Sequence, residues 1–446
     1  MPIGAQDIAS VLPTLIPMLD TEIEMLVELE DHWYSAHETG TDGQMNSLGA
    51  RVSLRSSINP NYGNQSIDGG AFREPGQNGY LQAIIPFSAD NYSGGATGAA
   101  QANLESIKSF GDSMEEMVAL GVQYIKRQRD IDFAHGTFPL GFRAKVSSIT
   151  SNGSSGSVVV MDAEEGNRFL DKNGCYIACH PTTGNAHGVA TGHYVTSKPD
   201  AQTTNFSGNV GANTTWAAGD ILVNRADATG ATSFNRAIYG FEYFGLDSGE
   251  YFGLSKDTED KLRGLRENGN GNNISRSLLL RGETRYKYRW NPGEQGATKL
   301  SAMIDAVPTA QYSAYQAMGY NLVQYLATPG AAIKTFDAKI NAVQDGNRVM
   351  IEDANIRPSN WFRYDKTTVK RYVFEKTGMW TRDGLKYRSI YSTGVGASNG
   401  VAASPGQIQD LTSFVIQGKE NMFCKDPAKI IWYFNLGYTG IFNGVS

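Results

Sequence analysis

Short alternating segments separated by glycine-rich turns dominate the chain between Arg51 and Thr97. Two pieces are β-prone, Arg51–Ile58 and Gly79–Ile85, and turn signals such as Asn59-Pro-Asn-Tyr-Gly-Asn64 and Asp68-Gly-Gly70 stand between them. A connection this long and this poor in large apolar side chains is uncommon inside a compact domain. The pattern therefore predicts a functional loop, a disordered segment, or an arm that folds onto another copy of the protein.

After this arm, the apolar period changes from two residues to that of a helix. Charged residues fall between apolar positions that recur every three or four residues: Leu104, Ile107, Phe110, Met114, Met117, Val118, Gly121 and Ile125. This pattern predicts an amphipathic helix of about 30 residues, from about Ala96 to Arg129, with a length of roughly 45 Å. Because such a helix is longer than usual, we expect it to span the molecule.

The first 35 residues contain a second helical pattern, with Ile23, Leu26 and Val27 at helical spacing, although Pro13 and Pro17 delay its start. Two interpretations stay open. The segment is either a helix packed on a core or an acidic arm that docks on a partner, since terminal segments are loose unless something holds them.

From Phe142 to about Leu254 the pattern has period two, which predicts a separate β domain over residues 140–255, built as a sandwich or a small barrel. Its candidate strands are Phe142–Thr150, Val158–Met161, Gly174–His180, His193–Lys198, Asp220–Val223 and Ala237–Phe244. The polar segment that follows, through Asn268-Gly-Asn-Gly-Asn-Asn273, is interpreted as a linker back to the main body.

The last third mixes helix and strand patterns. A helix is predicted across Ala297–Leu326, interrupted near Pro308. Four strands are predicted after it: Val369–Glu375, Leu385–Tyr391, Ser413–Gly418 and Lys429–Asn435. Together these elements predict an α+β protein.

Composition narrows the class of protein. With 446 residues, 40% of them apolar, the chain is long enough for two or three domains. Its 50 glycines favour a β-rich protein with many tight turns. The apolar stretch Ile8–Leu19 lacks a basic start, and no run is long enough to span a bilayer, so we expect a soluble, cytosolic protein.

Charge is unevenly distributed along the chain. The net charge is −6, and residues 1–50 hold nine acidic residues and no Lys or Arg. Sequence-specific DNA binding is not expected, because it would require clustered Lys and Arg to neutralise phosphates. Three cysteines, an odd number, indicate reduced and buried thiols rather than a disulfide framework.

Two motifs suggest chemistry, and neither has the context that the chemistry needs. Cys175 and Cys179, with His180, His187 and His193 nearby, invite a metal or haem site, but in a strand the two thiols lie about 13 Å apart, too far to share one ion. We expect buried thiols and no cofactor.

The second motif, Gly396-Ala-Ser-Asn-Gly400, matches a nucleophile elbow but lacks the flanking core strand and helix that hold such a serine. With no complete catalytic constellation, the chain is not expected to be an enzyme.

The chain resembles the major capsid proteins of tailed bacteriophages with the Hong Kong 97-type fold. The likeness rests on the order of arm, extended loop and long helix. It rests also on four segments: Phe142–Thr150, Ala217-Ala-Gly-Asp-Ile-Leu-Val223, Ile238–Gly253, and Gly418-Lys-Glu-Asn-Met-Phe-Cys-Lys-Asp-Pro427. The first three are similar to parts of a β insertion that some members carry.

This resemblance implies a division of the chain into named parts. They are an acidic N-terminal arm (1–50), an extended loop (51–95), a spine helix with part of a peripheral domain (96–135), an inserted β domain (140–255), an axial domain with part of the peripheral domain (256–410), and C-terminal strands (411–446).

The resemblance also implies partners. They are other copies in hexamers and pentamers of an icosahedral shell, packaged double-stranded DNA bound without sequence specificity, a separate scaffolding protein, a portal and a decoration protein. It implies a place in the virion, after assembly in the host bacterial cytoplasm.

The extended loop would lie over the adjacent subunit. Candidate contact residues are Arg51, Arg55, Ile58, Phe72, Arg73 and Tyr80. Candidate hinges, if the shell expands, are Gly69, Gly70, Gly94 and Gly95. The family's type member joins a loop lysine to a neighbour's asparagine, but the first lysine here is Lys108, so no covalent cross-link from the loop is expected.

Two other functions compete with a capsid subunit. One is a different virion component, such as a tail or decoration protein, for which the long helix would be surplus. The other is a glycan-binding β protein, in which exposed aromatic side chains such as Trp216 and Tyr239 would form sugar platforms, although core packing also accounts for them.

Overall fold

The computed structural model of the protein describes residues 33–34, 36–41, 44–46, 49–57, 79–97, 107–136, 140–153, 156–181, 192–210, 216–224, 237–289, 300–316, 344–345, 348–380, 390–393 and 410–438. Helices, antiparallel sheets, a closed barrel and a mixed sheet are all present in this part of the chain. The predicted α+β class is therefore confirmed.

The first sheet contains a hairpin, with strands in the order β1 (Gln44–Asn46), β2 (Gly49–Ser57) and β3 (Gly79–Ile85). The two strands predicted for the extended loop are thus confirmed. Alternate residues of β2 and β3 are buried in the main core: Ala50, Val52, Leu54, Ala83 and Ile85. This alternation leaves the other face of the hairpin directed away from that core.

A second antiparallel sheet is built around the long strand β20 (Asp410–Cys424). On one edge β20 pairs with β4 (Ser88–Thr97), and on the other with β18 (Val369–Trp380) and β19 (Ile390–Thr393). Helix α1 (Ile107–His135) packs against β4 and β20. Its 29 residues extend over roughly 44 Å, so the predicted long helix is present.

The start of this helix was predicted too early. Ala96 belongs to β4, which pairs with β20 from the far end of the chain. Local pattern alone could not show this, because Gly94 and Gly95 carry no strand signal and their conformation is set by the distant partner. The helix also continues beyond the predicted end at Arg129, to His135.

Six strands close into a small barrel. They are β5 (Phe142–Gly153), β6 (Gly156–Met161), β7 (Cys175–Cys179), β8 (His193–Ser197), β9 (Thr203–Phe206) and β10 (Ile221–Asn224), in the spatial order β10-β5-β6-β9-β8-β7. The interior is filled by apolar side chains, among them Val146, Val159, Met161, Phe206, Trp216 and Leu222. The predicted β domain therefore contains a barrel. Its first strand, β5, and its last strand, β10, are neighbours, since Phe142 pairs with Val223.

The barrel strands end at Asn224, well before the predicted limit at residue 255. The strand predicted over Ala237–Phe244 is wrong, because this segment leads into the short helix α2 (Phe241–Gly245). Phe241 and Phe244 are buried in the main core, and a ribbon of β11 (Glu250–Tyr251) and β12 (Leu254–Ser255) follows. The aromatic residues of this segment pack in the main core and do not form a strand of the barrel.

Glycine is required where α2 meets α1. A Cβ atom on Gly240 would lie 2.1 Å from the carbonyl oxygen of Phe133, and one on Gly136 would lie 1.9 Å from the backbone nitrogen of Gly240. The two backbones can approach this closely because neither residue has a side chain. Phe133 and Phe241 meet edge to face at this crossing, with ring centroids 5.0 Å apart.

The third sheet is six-stranded and mixed. Its strands are β13 (Leu265–Asn268), β14 (Ile304–Val307), β15 (Gln344–Asp345), β16 (Arg348–Glu352), β17 (Trp361–Tyr364) and β21 (Ile430–Phe434), in the spatial order β13-β21-β17-β14-β16-β15. Helix α3 (Arg276–Arg289) covers one face through Leu278, Leu279 and Tyr286. The main aromatic core lies on the other face.

Two predictions in this region are wrong. The helix predicted across Ala297–Leu326 is interrupted by strand β14, and the chain is helical only over residues 309–316 within its described part after that strand. The supposed linker around residue 268 contains β13. Both errors have the same cause, since these strands are fixed by partners far away along the chain.

A buried ion cluster joins this sheet to α3. The guanidinium of Arg363 in β17 contacts both carboxylate oxygens of Asp305 in β14, at 2.6 and 2.8 Å, and Glu283 in α3 at 2.5 Å. Arg363 and Asp305 are completely buried. Arg363 therefore links β14, β17 and α3.

The end of the N-terminal segment enters the main core. The Trp33 ring stacks on Phe241 at 4.6 Å, and its indole nitrogen donates to the Tyr364 hydroxyl at 2.8 Å. Thr39 then pairs with Arg371 at the edge of β18. The interpretation of this end as packed on a core is supported for these residues, whereas residues 1–32 lie outside the described part.

The buried side chain of Lys256 caps the C-terminal end of α2. Its ammonium group donates to the carbonyl oxygens of Tyr243, Phe244 and Leu246 at 2.8, 3.2 and 3.0 Å, and the residue is fully buried. These donors satisfy carbonyls that a helix leaves without partners at its last turn. Burial lowers the pKa of Lys256 to about 7.

We expect Lys256 to make the free energy of unfolding increase as the pH rises from 7 to 9. Between pH 7 and 9 the unfolded chain keeps the Lys256 proton and the folded chain releases it, so the unfolded state binds more protons and the folded state gains stability as the pH rises. In Lys256→Met, the increase in the free energy of unfolding over this range should be smaller by about 1–3 kcal/mol. Urea unfolding at the two pH values measures it, and equal increases in both proteins would contradict the prediction.

Candidate assembly surface

The outward face of the hairpin is the candidate assembly surface; we call it the hairpin face. Three cross-strand pairs form it: Arg51 with Ile84, Ser53 with Gln82, and Arg55 with Tyr80. Tyr80 is 66% exposed and Ile84 47% exposed, although isoleucine is usually buried. Large apolar side chains flanked by arginine are typical of a surface that meets another protein.

The base of the hairpin is fixed to the body. Asn421 in β20 is buried, and its side-chain nitrogen donates to the carbonyl oxygen of Pro86, directly after β3, at 2.7 Å. Its side-chain oxygen accepts from the backbone nitrogen of Tyr239 at 3.0 Å. The hairpin face is therefore presented from a rigid base.

A buried arginine ties this base to the long helix. Arg129 in α1 donates to Asp90 in β4 at 2.8 Å and pairs with Glu420 in β20. Burial alone would lower the pKa of Arg129, but the carboxylates of Glu420 and Asp90 raise it above its usual value, so the residue stays charged. Helix, edge strand and central strand are thus held together.

The structure brings part of the predicted contact set together. Arg51 and Tyr80 share the hairpin face, and the backbone of Arg55 pairs with that of Tyr80. The side chain of Arg55 lies outside the described part, as do Ile58, Phe72, Arg73, Gly69 and Gly70. Sequence reasoning missed Ile84, although strict alternation with the buried Ala83 and Ile85 indicates its outward position.

The other two proposed hinges lie within a strand. Gly94 and Gly95 belong to β4, where they pair with Phe414 and Ser413. A pivot at this point would have to break part of the β4–β20 ladder. The hinge function of these glycines remains a prediction.

Two of the three cysteines are buried as expected, whereas Cys175 is half-buried. Cys179 and Cys424 are buried, and burial raises the pKa of each thiol to about 12, so both are protonated at neutral pH. The three cysteines, all within the described residues, form no disulfide. No group of three metal-binding side chains occurs in the described part of the chain, and Gly396–Gly400 lies outside it.

The proposed sugar platforms are also packing residues. Trp216 is buried inside the barrel, where its ring contacts Phe206 and His193 edge to face at 5.2 and 5.3 Å. Tyr239 packs against Tyr243 at 4.7 Å and borders the main core. Trp216 is thus buried and Tyr239 half-buried, and packing accounts for both rings.

No helix in the described residues is long and apolar enough to cross a membrane.

The described chain thus combines an outward hairpin, a long helix packed on β4 and β20, and a closed barrel. No family model and no curated protein matches the sequence.

The structure is similar to several solved capsid structures. They include the cyanophage A-1(L) capsid asymmetric unit, with 9% identity over 94% of this chain and 93% of that chain and a TM-score of 0.46. The capsid of the empty GTA particle has 7% identity over 90% of this chain and 95% of that chain, with a TM-score of 0.41. A structure of Mycobacterium phage Patience has 8% identity over 98% and 89%, with a TM-score of 0.40.

Proposed function

We propose that this protein is the major capsid protein of a tailed bacteriophage, a coat subunit that self-assembles into the hexamers and pentamers of an icosahedral shell and performs no catalysis. The hairpin face carries this proposal. It exposes Tyr80 and Ile84 from a base fixed in the core, as a subunit requires if it is to cover its neighbour. In a closed shell each weak contact is repeated many times, which converts small energies into a stable particle.

The observed elements fit the parts of such a subunit. The β2–β3 hairpin would be the extended loop, α1 the spine helix, and the sheet around β20 the peripheral domain. The six-stranded sheet with α3 would form the axial domain, and the barrel would be the insertion. The packaged double-stranded DNA, a separate scaffolding protein, a portal and a decoration protein would be partners in the virion, which would be assembled in the host bacterial cytoplasm.

Electron microscopy of the purified protein, combined with sedimentation velocity, tests the proposal. We expect closed shells, or free hexamers and pentamers, at micromolar concentration. A protein that remains monomeric at every concentration and with its phage partners co-expressed is not a shell subunit.

We expect the contact between subunits to be noncovalent. No lysine precedes Lys108, so the hairpin and its flanking segments have no amine to form an isopeptide bond. Mature particles boiled in denaturing buffer should migrate as a single monomer band. A ladder of covalent multimers on the gel would show that another lysine supplies a cross-link.

A further inference from the structure

Two buried aspartates face each other where the end of α1 meets the loop after β16. Asp130 lies near the C-terminal end of α1, and Asp353 directly follows β16. Only 2% of Asp130 and 9% of Asp353 is exposed. Among the described residues, the hydrogen-bond donors to their side chains are all neutral amides. The two acids are therefore buried without a cation bound to either carboxyl group.

Asn355 holds the two carboxyl groups together. Its backbone nitrogen donates to Oδ1 of Asp353 at 2.7 Å, and its side-chain nitrogen donates to Oδ2 of Asp130 at 2.6 Å. The backbone nitrogen of Tyr34 donates to the other oxygen of Asp130 at 3.2 Å. Three of the four carboxyl oxygens thus have a donor.

The fourth oxygen indicates a proton. Oδ2 of Asp353 is buried and accepts from no donor in the described residues, yet the Asp353 carboxyl group is hydrogen-bonded to that of Asp130. Two ionised carboxylates cannot form such a bond, because neither has a hydrogen to donate. Like charges in contact inside a protein also cannot both ionise. One proton shared by the two groups supplies the missing hydrogen and removes the repulsion.

The nearest cation is already engaged elsewhere. Arg168, in the segment between β6 and β7, donates to the Glu165 carboxylate at 2.7 Å and also to the carbonyl oxygen of Ala354. Its charge favours ionisation of Asp353 only in part. Burial and the facing Asp130 carboxylate outweigh it and raise the pKa of Asp353 well above the usual range.

The other charged and titratable groups around the loop do not replace this proton. His135, one turn beyond Asp130 in α1, is hydrogen-bonded to the backbone of Asn355, and burial lowers its pKa, so the ring is neutral at neutral pH. Arg357, at the end of the loop, donates to the Glu242 carboxylate at 2.6 Å.

The aspartate pair lies where three parts of the molecule meet. Asp130 binds the N-terminal segment through Tyr34, the loop receives Arg168 of the inserted domain at Ala354, and Ile356 packs in the main core. Ala354 is exposed, so the loop has solvent on one side. A change in charge at this junction therefore acts on all three contacts.

We propose that Asp130 and Asp353 share one proton, and that this proton is a pH-sensitive latch. While it is bound, the loop of residues 353–356 is held against α1. Its loss at higher pH leaves two negative charges in contact, and the loop moves outward so that water can reach Asp353. The latch belongs to the single chain and does not depend on shell assembly.

A comparison of the wild-type chain with Asp353→Asn tests the shared proton. The asparagine cannot titrate, but its amide can donate to Asp130 as the shared proton does. Between pH 5 and 7 the unfolded chain has released the Asp353 proton and the folded chain keeps it, so the wild type loses stability as the pH rises. Relative to the variant, its equilibrium constant for unfolding in urea should rise about tenfold per pH unit. Equal pH dependence of the two proteins overturns the proposal.

A matched control isolates this pair from other acids. Asp257→Asn makes the same change at an exposed carboxyl group and should keep the wild-type dependence on pH. Glu165, whose pKa burial raises to about 8, is present in all three proteins, so its effect cancels in the comparison. A control that flattens the pH dependence as much as Asp353→Asn does contradicts the assignment to this pair.

Infrared spectroscopy distinguishes a proton from a bound cation. At pH 6 the wild-type chain should show the carbonyl stretch of a protonated carboxylic acid that Asp353→Asn lacks, and alkaline pH should remove it. If the two spectra agree in this region, as they would with a cation between two carboxylates, the proposal is wrong.

Hydrogen exchange of the wild-type chain tests the latch without any variant. After correction for intrinsic exchange, peptides that cover residues 349–357 should lose protection by about tenfold or more between pH 6 and 9. Peptides from β17 should keep their protection. Constant protection of the loop over this range shows that no proton holds it and overturns the latch.

Discussion

Replacing Arg363 with alanine is expected to lower the free energy of unfolding by about 3–5 kcal/mol, because the change leaves two carboxylates buried without their cation. Asp305 is completely buried, and its carboxylate also accepts from the indole nitrogen of Trp361 at 3.1 Å. Glu283 would lose the same partner. Urea unfolding of the unassembled protein measures the loss.

A matched control separates this effect from the general cost of losing an ion pair. Lys145 faces Asp162 at 3.6 Å on the barrel surface, with side chains 46% and 35% exposed. Lys145→Ala should lower the free energy of unfolding by less than about 1 kcal/mol. If Arg363→Ala lowers the free energy of unfolding by as little as this control does, the buried cluster does not hold β14, β17 and α3 together.

Replacing Tyr80 and Ile84 together with serine is expected to abolish assembly while leaving the subunit folded. Both side chains are exposed in the single chain, so their loss should change the free energy of unfolding by less than about 0.5 kcal/mol. In the proposed shell each would be covered by a neighbour, a gain of about 1.5–3 kcal/mol per side chain that recurs at every contact. Sedimentation velocity and electron microscopy then distinguish subunits from particles.

The opposite face of the same hairpin supplies the control. Val52 is buried in the main core, so Val52→Ala should lower the free energy of unfolding by about 1–3 kcal/mol and still permit assembly. Full assembly of the serine double variant would exclude the hairpin face as an intersubunit contact. It would leave the description of the fold unchanged.

The local sequence pattern was sufficient to predict a strand where burial alternates along it. The hairpin strands and most of the barrel were predicted because one face of each is buried, which leaves period two in the sequence. The same alternation puts Tyr80 and Arg51 on one face of the hairpin. A long helix was also visible, since its apolar stripe repeats over many turns.

Elements fixed by distant partners could not be predicted. Strand β14 contains Asp305, whose carboxylate can be buried because Arg363 from another strand pairs with it. The glycines of β4 acquire strand conformation from β20, and α2 carries an aromatic run that resembles a strand. In each case the deciding contact joins residues far apart in the chain, and no window of local sequence contains it.

The barrel departs from the body and returns to it through two paired residues, Phe142 and Val223. The segment between these two positions also packs against the body: Phe169 lies in one buried cluster with Ile131 of α1, and Arg168 donates to the carbonyl oxygen of Ala354. A foreign domain grafted between residues 142 and 223 would therefore need ends as close together as two adjacent strands. It would also have to replace the contacts that Phe169 and Arg168 make with the body.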